Sequence, residues 1–465
     1  MVEKEQAELD RMELKDLYIT PIYLAIVYII AYNLRSSVTN AYTKKYFIPA
    51  LTVKIVGAIA LGILYHTLYG GDTNNYYRQA GIVYHAFGDS FAAGWELVTT
   101  SGDITPAISK YTDQLTWFGH GSNEYFVIRV AAIFAILSFN TYTVIAVLFA
   151  VITFSGMWVM YMTFAKIRPQ VYKELATAVF FLPSVFFWGS GLLKDSLCIG
   201  ALGWLFYAFY RGAIQRRNIL RCSIVGAVAI GVILSMKVYI LLAFMPPALL
   251  WVFNESTRNI RSTAVRWVAK PLFLGVGLLV AGYAFVKISA ADARFDIENI
   301  GAQSKLTADY LQGVSKTEQG SGYNIGAQDG TIGGMAKLAP QALVVALFRP
   351  FLWEARNPTM LLSALEATYF LVLTLRILWR VGLVKTFTAI SVTPILTLCF
   401  VFSLIFAISV GISSGNFGTL VRYKIPLMPF YLSGLYILQS ITVTTANPRL
   451  RQRRNVGAAP QLARA

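Results

Sequence analysis

The stretch FIPALTVKIVGAIALGILYHTLYGGD, residues 47–72, decides the fold. Residues 47–69 form an apolar run long enough to cross a bilayer, which takes about 17–25 helical residues. Gly70 and Gly71 then allow a sharp turn, and Asp72 opens the first long polar stretch. The sequence therefore predicts a transmembrane helix that delivers a carboxylate to the membrane surface.

The rest of the chain shares this apolar character. It has 465 residues, 56% of them hydrophobic and 14% charged, and a mean hydropathy of +0.57. A soluble domain of this size does not bury so much apolar surface, so we predict an all-α polytopic membrane protein. The net charge of +17 does not indicate nucleic-acid binding, because the basic residues lie in short connectors between apolar runs.

We predict about 11–13 transmembrane or re-entrant segments from the apolar runs. The long runs are 17–34, 47–69, 141–164, 197–213, 222–236, 238–254, 272–288, 359–378, 389–411 and 425–445. Shorter runs are 126–139, 175–190 and 338–352. Residues 17–445 thus form a transmembrane domain, preceded by a cytoplasmic or interfacial helix at 1–16 and followed by a basic cytoplasmic tail at 446–465. The acidic start does not resemble a cleaved signal peptide.

The arginines and lysines predict the orientation. Four basic connectors belong in the cytoplasm by the positive-inside rule: 215–221, 258–270, 376–385 and 449–454. The long loops 70–125 and 289–337 then face outward, as do Lys194, Asp195 and residues 416–424. The N-terminal half has one crossing too many, and we expect 175–190, which contains Pro183, to cross incompletely. The predicted location is the bacterial inner membrane.

Cysteine and histidine usage indicates neither a disulfide framework nor a metal site. The three cysteines, Cys198, Cys222 and Cys399, lie in or beside apolar segments, and no Cys/His cluster has the spacing of metal ligands. We predict no cofactor, although a divalent metal stays open.

Asp72 is the candidate catalytic residue. A carboxylate at the membrane edge could deprotonate or orient a hydroxyl nucleophile. Alternatively, Asp72 caps a helix, since Asp followed by Thr-Asn-Asn suits a helix start. Tyr76 follows on an amphipathic stretch and is a candidate substrate contact.

Five basic residues are candidate ligands for a donor phosphate: Lys194, Lys237, Arg349, Arg422 and Lys424. For Lys194 the alternative is snorkelling to headgroups, while Asp195 and Ser196 cap the next helix. Lys237 lies either at the tip of a hairpin of two spans, where it snorkels or points inward, or inside one long helix. Arg422 and Lys424 run against the positive-inside trend, and simple headgroup contact is their alternative.

The remaining candidate substrate contacts are Asp195, Trp353, Glu354 and Asn416. Glu366, about two turns into a span, is expected to face the bundle and pair with a basic group. Loop 289–337 is either a lid over an outer cavity or, for 313–335, a disordered tether, which we favour slightly. His120 and Glu124 are further acid/base groups without specific spacing.

Two motifs resemble the integral-membrane glycosyltransferases of the GT-C superfamily. Gly71-Asp72-Thr73 opens an outer loop and is followed by tyrosines and by a span beginning with Arg129. Arg422-Tyr-Lys-Ile-Pro-Leu-Met-Pro-Phe430 resembles the Arg-Tyr-x-x-Pro-x-x-Pro run before a late helix of such enzymes. The stretch from Pro183 to Asp195 is similar to another of their landmarks. The chain as a whole also resembles a group of bacterial multi-spanning proteins.

The resemblance implies a sugar carried on a polyprenyl phosphate and an outward-facing active site in which Asp72 activates the acceptor hydroxyl. Lys194, Arg349 and Arg422 would neutralise the departing lipid phosphate. The expected partners are membrane lipids, the polyprenyl-linked sugar and a glycan or lipid acceptor. The chain departs from the family in lacking an acidic pair at the loop start and a soluble C-terminal domain, and in its extra span 17–34.

Two other functions stay open. One is a polysaccharide polymerase or ligase that uses an undecaprenyl-diphosphate glycan, and the other is a transporter or flippase without chemistry, although no inverted repeat is visible. A single outer site requires Asp72, Lys194, Arg349 and Arg422 to converge within about 10–12 Å.

Overall fold

The computed structural model describes residues 14–100, 102–119, 123–257, 300–317, 322–326 and 328–446. Within these ranges the fold is helical and contains no strand. Seven of the described helices are long and apolar enough to cross a membrane: Leu14–Val38, Lys44–Thr67, Tyr142–Ile167, Lys194–Ile214, Val238–Glu255, Pro358–Val381 and Pro394–Ser413. The prediction of an all-α, multi-pass membrane protein is confirmed.

The full count of 11–13 segments stays a prediction. The predicted span 272–288, the connector 258–270, the tail from 447 onward and residues 1–13 lie outside the described residues. Three shorter apolar helices, Ile219–Leu234, Gly333–Phe348 and Leu383–Val392, accompany the seven long ones in the described part.

The described helices are numbered here in chain order. They are α1 (Leu14–Val38), α2 (Lys44–Leu64), α3 (Asp72–Asp89), α4 (Phe91–Thr99), α5 (Ser109–Thr112), α6 (Asn123–Leu137), α7 (Tyr142–Ile167), α8 (Tyr172–Phe180), α9 (Pro183–Trp188), α10 (Lys194–Ala208), α11 (Ile219–Leu234), α12 (Val238–Thr257), α13 (Ile300–Thr317), α14 (Ile332–Phe348), α15 (Pro358–Val381), α16 (Leu383–Val392), α17 (Pro394–Ser413), α18 (Phe417–Tyr423) and α19 (Met428–Ala446). Wider π-type turns extend α2 through Tyr65–Tyr69 and α10 through Phe209–Ile214.

The chain divides into two compact units. The first comprises Met1–Met162, Val185–Trp204 and Val228–Lys237. The second comprises Thr163–Ser184, Leu205–Ala227 and Val238–Ala465. The borders fall inside α7, α9, α10 and α11, so these helices contribute residues to both units.

In the first unit, α1 and α2 form an antiparallel hairpin. The hydroxyls of Tyr28 and Thr52 lie 2.8 Å apart, and Arg35 donates to the carbonyl oxygen of the first residue of α2. At the other end of α1, Asp16 accepts a hydrogen bond of 2.8 Å from the backbone N–H of Thr143. Helix α1 therefore begins where α7 begins, and in the predicted orientation this is the outer end. This placement of Asp16 conflicts with the cytoplasmic alternative for 1–16 and agrees with the interfacial one.

Helix α2 runs antiparallel to α7 and ends beside its start. Phe47, early in α2, makes an edge contact with Trp158, late in α7, with ring centroids 4.8 Å apart. Gly62 lies against the ring of Tyr142, where a Cβ atom would approach to 2.5 Å. Beyond the helix, Gly70 and Gly71 have φ values of 61° and 101°, which confirms the predicted glycine turn.

The segment from residue 72 to residue 141 leaves and returns to the same end of the first unit. The hydroxyls of Thr73 and Tyr142 lie 3.0 Å apart, and Tyr77 donates to the carbonyl oxygen of Asn140 at 2.8 Å. An odd number of membrane crossings between these points is therefore excluded. The run 126–139, which the sequence left open as a transmembrane or re-entrant segment, forms most of α6 and is not a single complete crossing. This removes the surplus crossing.

Helices α7 and α10 run parallel to each other. Thr153 donates to the carbonyl oxygen of Ser196 at 3.0 Å, and one turn later Gly156 packs against Gly200 and Gly203. Residues 168–193 must therefore carry the chain back along α7, and they do so as the two short helices α8 and α9. Before α10 begins, the chain returns only as far as the level of Thr153 in α7. The expectation that 175–190 crosses incompletely is therefore met in part.

Replacing Gly156 with alanine is expected to destabilise the fold by about 1–3 kcal/mol, the usual cost of overpacking. A Cβ atom at this position would lie 1.9 Å from the carbonyl oxygen of Gly200, and backbone atoms cannot move aside cheaply. The melting temperature in detergent measures the effect. Gly231→Ala is the matched control, since its Cβ meets nothing within 4 Å; equal melting temperatures for the two variants would contradict this close packing.

The second unit is built around aromatic side chains. Helix α12 runs antiparallel to α17, because Tyr239 contacts Phe406 at 5.4 Å and Phe244 contacts Phe402 at 5.9 Å between ring centroids. Near the start of α19, Phe430 lies within 4.9–6.2 Å of four other rings, those of Phe164, Phe206, Phe244 and Phe402. These contacts hold α7, α10, α12 and α17 together in this unit.

Candidate functional site

Asp72 is the first residue of α3 and is half-buried. Gly71 occupies the N-cap position, so Asp72 is not the capping residue that one hypothesis made it. Its carboxylate instead lies in the first helical turn, where the helix dipole favours a negative charge. Its catalytic role stays a prediction.

Tyr76 has no surface left for a substrate. The side chain is 1% exposed, and its ring lies 5.2 Å from that of Trp117. The structure gives Tyr76 a packing role in place of the predicted substrate contact, because α3 lies with this face turned into the unit.

Lys194 and Asp195 both carry ion pairs at the start of α10. Lys194 Nζ lies 2.6 Å from Glu124 Oε1, and both side chains keep about a quarter of their surface exposed. Asp195 pairs with Lys237, and these two are 1% and 5% exposed. The predicted roles of Asp195 in substrate binding and of Lys237 in phosphate binding are therefore corrected, since each neutralises the other inside the unit.

Lys237 lies between α11 and α12, which confirms the hairpin of two helices over the single long one. It does not snorkel, because its ammonium points to Asp195.

Lys54 is a charged residue that sequence reasoning missed. It lies in the middle of α2, is 0% exposed, and donates to the carbonyl oxygens of Val185 (3.4 Å) and Gly189. These carbonyls close the C-terminal end of α9, where a cation is favoured. The sequence did contain a signal for this contact, because a lysine inside an apolar span usually has a specific partner.

Glu366 faces the bundle, as predicted. It is buried in α15 and accepts hydrogen bonds from the backbone N–H of Ser184 (3.0 Å) and from its hydroxyl (2.6 Å), at the start of α9. The positive charge of Lys424 acts on the same carboxylate, which agrees with the expectation of a basic group near Glu366. Lys424 itself is 1% exposed, and its role as a phosphate ligand stays a prediction.

Arg349 and Glu354 form an ion pair in the connector after α14. Glu354 also accepts a hydrogen bond of 2.7 Å from the backbone N–H of Phe351. Burial works to raise the pKa of Glu354, but the hydrogen bonds from Arg349 and Phe351 outweigh it and hold that pKa below its ordinary value. Arg349 lies 5.1 Å from the ring centroid of Phe417. The phosphate role of Arg349 and the substrate role of Glu354 stay predictions, and each would require this ion pair to open.

Trp353 remains available for a ligand. Its side chain is 81% exposed, and its ring stacks on Phe351 with centroids 4.8 Å apart. A flat indole of this kind offers a face to a sugar ring or a position among lipid headgroups.

Asn416 is the N-cap residue of α18, and its role as a substrate contact stays a prediction. Its side-chain oxygen accepts a hydrogen bond of 2.7 Å from the backbone N–H of Thr419, in the first turn of α18. Its amide nitrogen donates to the carbonyl oxygen of Leu311 at 3.3 Å. Arg422, on the same short helix, is half-buried.

A polar cavity of about 350 Å³ lies beside the end of α17 in the second unit. Tyr323 anchors one wall, because its N–H donates to Gly415 O at 3.2 Å and its hydroxyl to Gly411 O at 3.1 Å. Gln328 donates to Ile412 O at 2.9 Å. The lining residues are Lys305, Ala308, Asp309, Gln312, Tyr323, Asn324, Ile325, Gly326, Gln328, Ser414 and Gly415.

This cavity corrects the tether hypothesis for loop 313–335. Residues 322–326 pack on the segment after α17 instead of extending as a free tether. Residues 318–321 and 327, like His120 in the first loop, lie outside the described residues. The cavity could not be derived from the sequence, because it depends on two segments about ninety residues apart meeting at one helix end.

The candidate residues thus form separate groups in each unit. The convergence of Asp72, Lys194, Arg349 and Arg422 involves both units and stays a prediction. Among the described residues, no group of three or more His, Cys, Asp or Glu side chains could hold a metal ion. Comparisons with protein-family models, with curated proteins and with solved structures find no match.

Proposed function

We propose that this multi-pass membrane protein is a GT-C-type glycosyltransferase. It would transfer a sugar from a polyprenyl-phosphate donor to a cell-surface glycan or lipid acceptor at the outer face of the bacterial inner membrane. The observation that carries the proposal is the polar cavity beside the end of α17. Its volume of about 350 Å³ lies within the usual range for small-ligand sites.

The lining of the cavity suits a sugar. Gln312, Asn324 and Gln328 supply amide groups, which donate and accept, and Asp309 supplies a carboxylate acceptor. Hydroxyl groups of a sugar need such mixed partners, whereas an apolar ligand would leave these polar groups unpaired.

The position of the cavity fits an outer site. Helix α12 starts near Tyr239, close to the end of α17, and finishes near Trp251, which lies 5.8 Å from the ring of Tyr210. Tyr210 lies five residues before the start of the basic connector 215–221. The cavity therefore lies at the end of the second unit opposite this connector, which the positive-inside rule assigns to the cytoplasm.

The proposed reaction is a displacement at the anomeric carbon of the sugar. Asp72 accepts the proton of the acceptor hydroxyl, the acceptor oxygen forms a bond to the anomeric carbon, and the bond from that carbon to the phosphate oxygen breaks. The polyprenyl phosphate departs with the bonding electrons, and Arg422 is the proposed ligand for its charge. Lys194 is a further proposed ligand for the phosphate charge, a role that would require it to release Glu124, and Trp353 is the proposed stacking face.

A transfer assay on the purified protein tests the role of the cavity. Asp309→Asn is expected to raise KM for the polyprenyl-phosphate sugar about tenfold, the effect of weakening one charged hydrogen bond. Asp113→Asn, an equally exposed aspartate outside the cavity, is the matched control and should leave KM unchanged. Equal KM values for both variants would remove the cavity from sugar binding.

Transport of a lipid-linked glycan is the second candidate. The specific observation in its favour is the break between α8 and α9, since transporters often build sites on interrupted helices and buried acids such as Glu366. Translocation of a labelled lipid-linked glycan across proteoliposomes, without any new glycosidic bond, would favour transport over transfer.

A further inference from the structure

The second unit has a cluster of cations at the end opposite its cavity. Lys166 and Arg168 lie at the end of α7, and Arg211 and Arg217 lie at and after the end of α10. Within the described ranges, none of the four makes an ion pair with a carboxylate. This contrasts with Lys194, Lys237 and Arg349 elsewhere in the chain, each of which has a carboxylate partner.

Backbone geometry and charge interactions bring Lys166, Arg211 and Arg217 together, and Arg168 follows Lys166 by two residues. The turn after α10 uses left-handed conformations at Arg216 and Asn218, with φ values of 53° and 50°. It folds the chain back so that the N–H of Arg217 donates to the carbonyl oxygen of Arg211 at 3.0 Å. The ammonium of Lys166 lies within electrostatic reach of both guanidinium groups. Like charges that lie near one another repel, and an anion bound among them would lower this repulsion.

Two guanidinium groups in this cluster have buried donors without acceptors. The Nε atoms of Arg168 and Arg211 are shielded from solvent and have no hydrogen-bond partner in the described part of the chain. A buried, unsatisfied donor on a charged group is costly, so an acceptor from another molecule would relieve both the charge and the hydrogen-bond deficit.

The neighbouring sequence does not supply that acceptor. Connector 258–270 and residues 447–465, which the positive-inside rule assigns to the same face, contain no Asp or Glu. Two acidic residues lie near this end among the described residues: Glu255, whose charge acts on Tyr210, and the exposed Glu174 in the first turn of α8.

We propose that Lys166, Arg168, Arg211 and Arg217 bind a phosphate-bearing anion at the cytoplasmic end of the second unit. Phosphate oxygens match the donor geometry of guanidinium groups, and several can be engaged at once. Both an anionic lipid headgroup and a soluble phosphate carry this chemistry. The site is independent of the outer cavity and of sugar transfer.

Thermal stability in neutral detergent tests the site with defined probes. The probes are dihexanoyl phosphatidylglycerol, sodium pyrophosphate and, as the net-neutral reference, dihexanoyl phosphatidylcholine. An anionic probe is expected to raise the melting temperature of the wild-type protein, and Arg211→Gln should need about tenfold more probe for the same rise. Arg216→Gln removes the same charge from an exposed position of the same turn and should behave as wild type.

The outcomes separate the two sources of phosphate. Protection by phosphatidylglycerol but not pyrophosphate identifies a lipid headgroup, and protection by both identifies a site that accepts free phosphate. If Arg211→Gln does not fold, Arg168→Gln takes its place with the same expectation. The proposal is overturned if phosphatidylcholine protects equally well, or if the variants of Arg211, Arg168 and Arg216 all respond as wild type does.

Discussion

Asp72→Asn is expected to lower sugar transfer by about 10²–10⁴-fold, the usual contribution of a positioned general base. The amide cannot accept the proton of the acceptor hydroxyl, while its size and its place in the first turn of α3 are unchanged. The loss should therefore appear in kcat, with KM for the donor and the melting temperature close to their wild-type values.

The experiment compares initial rates of transfer from a polyprenyl-phosphate sugar for purified variants in detergent. Asp72→Glu keeps the carboxylate and should recover part of the rate, whereas Asp113→Asn changes an exposed carboxylate and should transfer as wild type does. A folded Asp72→Asn protein with an undiminished rate would remove Asp72 from the mechanism. Loss of donor binding without loss of kcat would assign it to binding.

Lys237→Met is expected to destabilise the protein by about 3–5 kcal/mol, because it leaves the buried charge of Asp195 without its partner. The two residues are 42 positions apart and join the start of α10 to the turn between α11 and α12. Removing the lysine thus weakens the packing of three helices, as well as one ion pair.

A double-mutant cycle measures this pair. Asp195→Leu combined with Lys237→Met should recover most of the lost stability, since an apolar pair of similar volume requires no buried charge. The readout is the melting temperature in detergent, and Lys337→Met, at an exposed position, is the control with an expected change within about 0.5 kcal/mol. A double variant no more stable than Lys237→Met alone would show that the two side chains do not stabilise each other.

Local features of the sequence predicted much of the fold. The apolar run at 47–69 became α2 and its final turn, and Gly70 and Gly71 adopt the conformation that their sequence position indicated. The break before residue 238 was one of two alternatives that the sequence left open, and the structure selects it. These successes depend on residues that are neighbours in the chain.

Pairing of charges was the main failure, because it depends on tertiary structure. Lys194 meets Glu124 across 70 residues, and Lys237 meets Asp195 across 42. In the sequence, a basic residue with no visible partner suggested a phosphate ligand. The tertiary structure shows that a carboxylate already forms an ion pair with it. The pair of Arg349 and Glu354, five residues apart, was within reach of sequence reasoning.

The buried contact of Lys54 has a consequence for how the protein is made. Its carbonyl partners follow 131 and 135 residues later in the chain. At about 5–20 residues per second, α2 waits roughly 7–27 s after its own synthesis for Val185 and Gly189. During that interval a lone lysine in the bilayer costs about 2.5–3.5 kcal/mol, which the leucines, isoleucines and valines around it must offset for insertion. Helix α2 therefore inserts into the membrane through the hydrophobicity of its own residues. Its contacts through Lys54 form only after α9 has been synthesised.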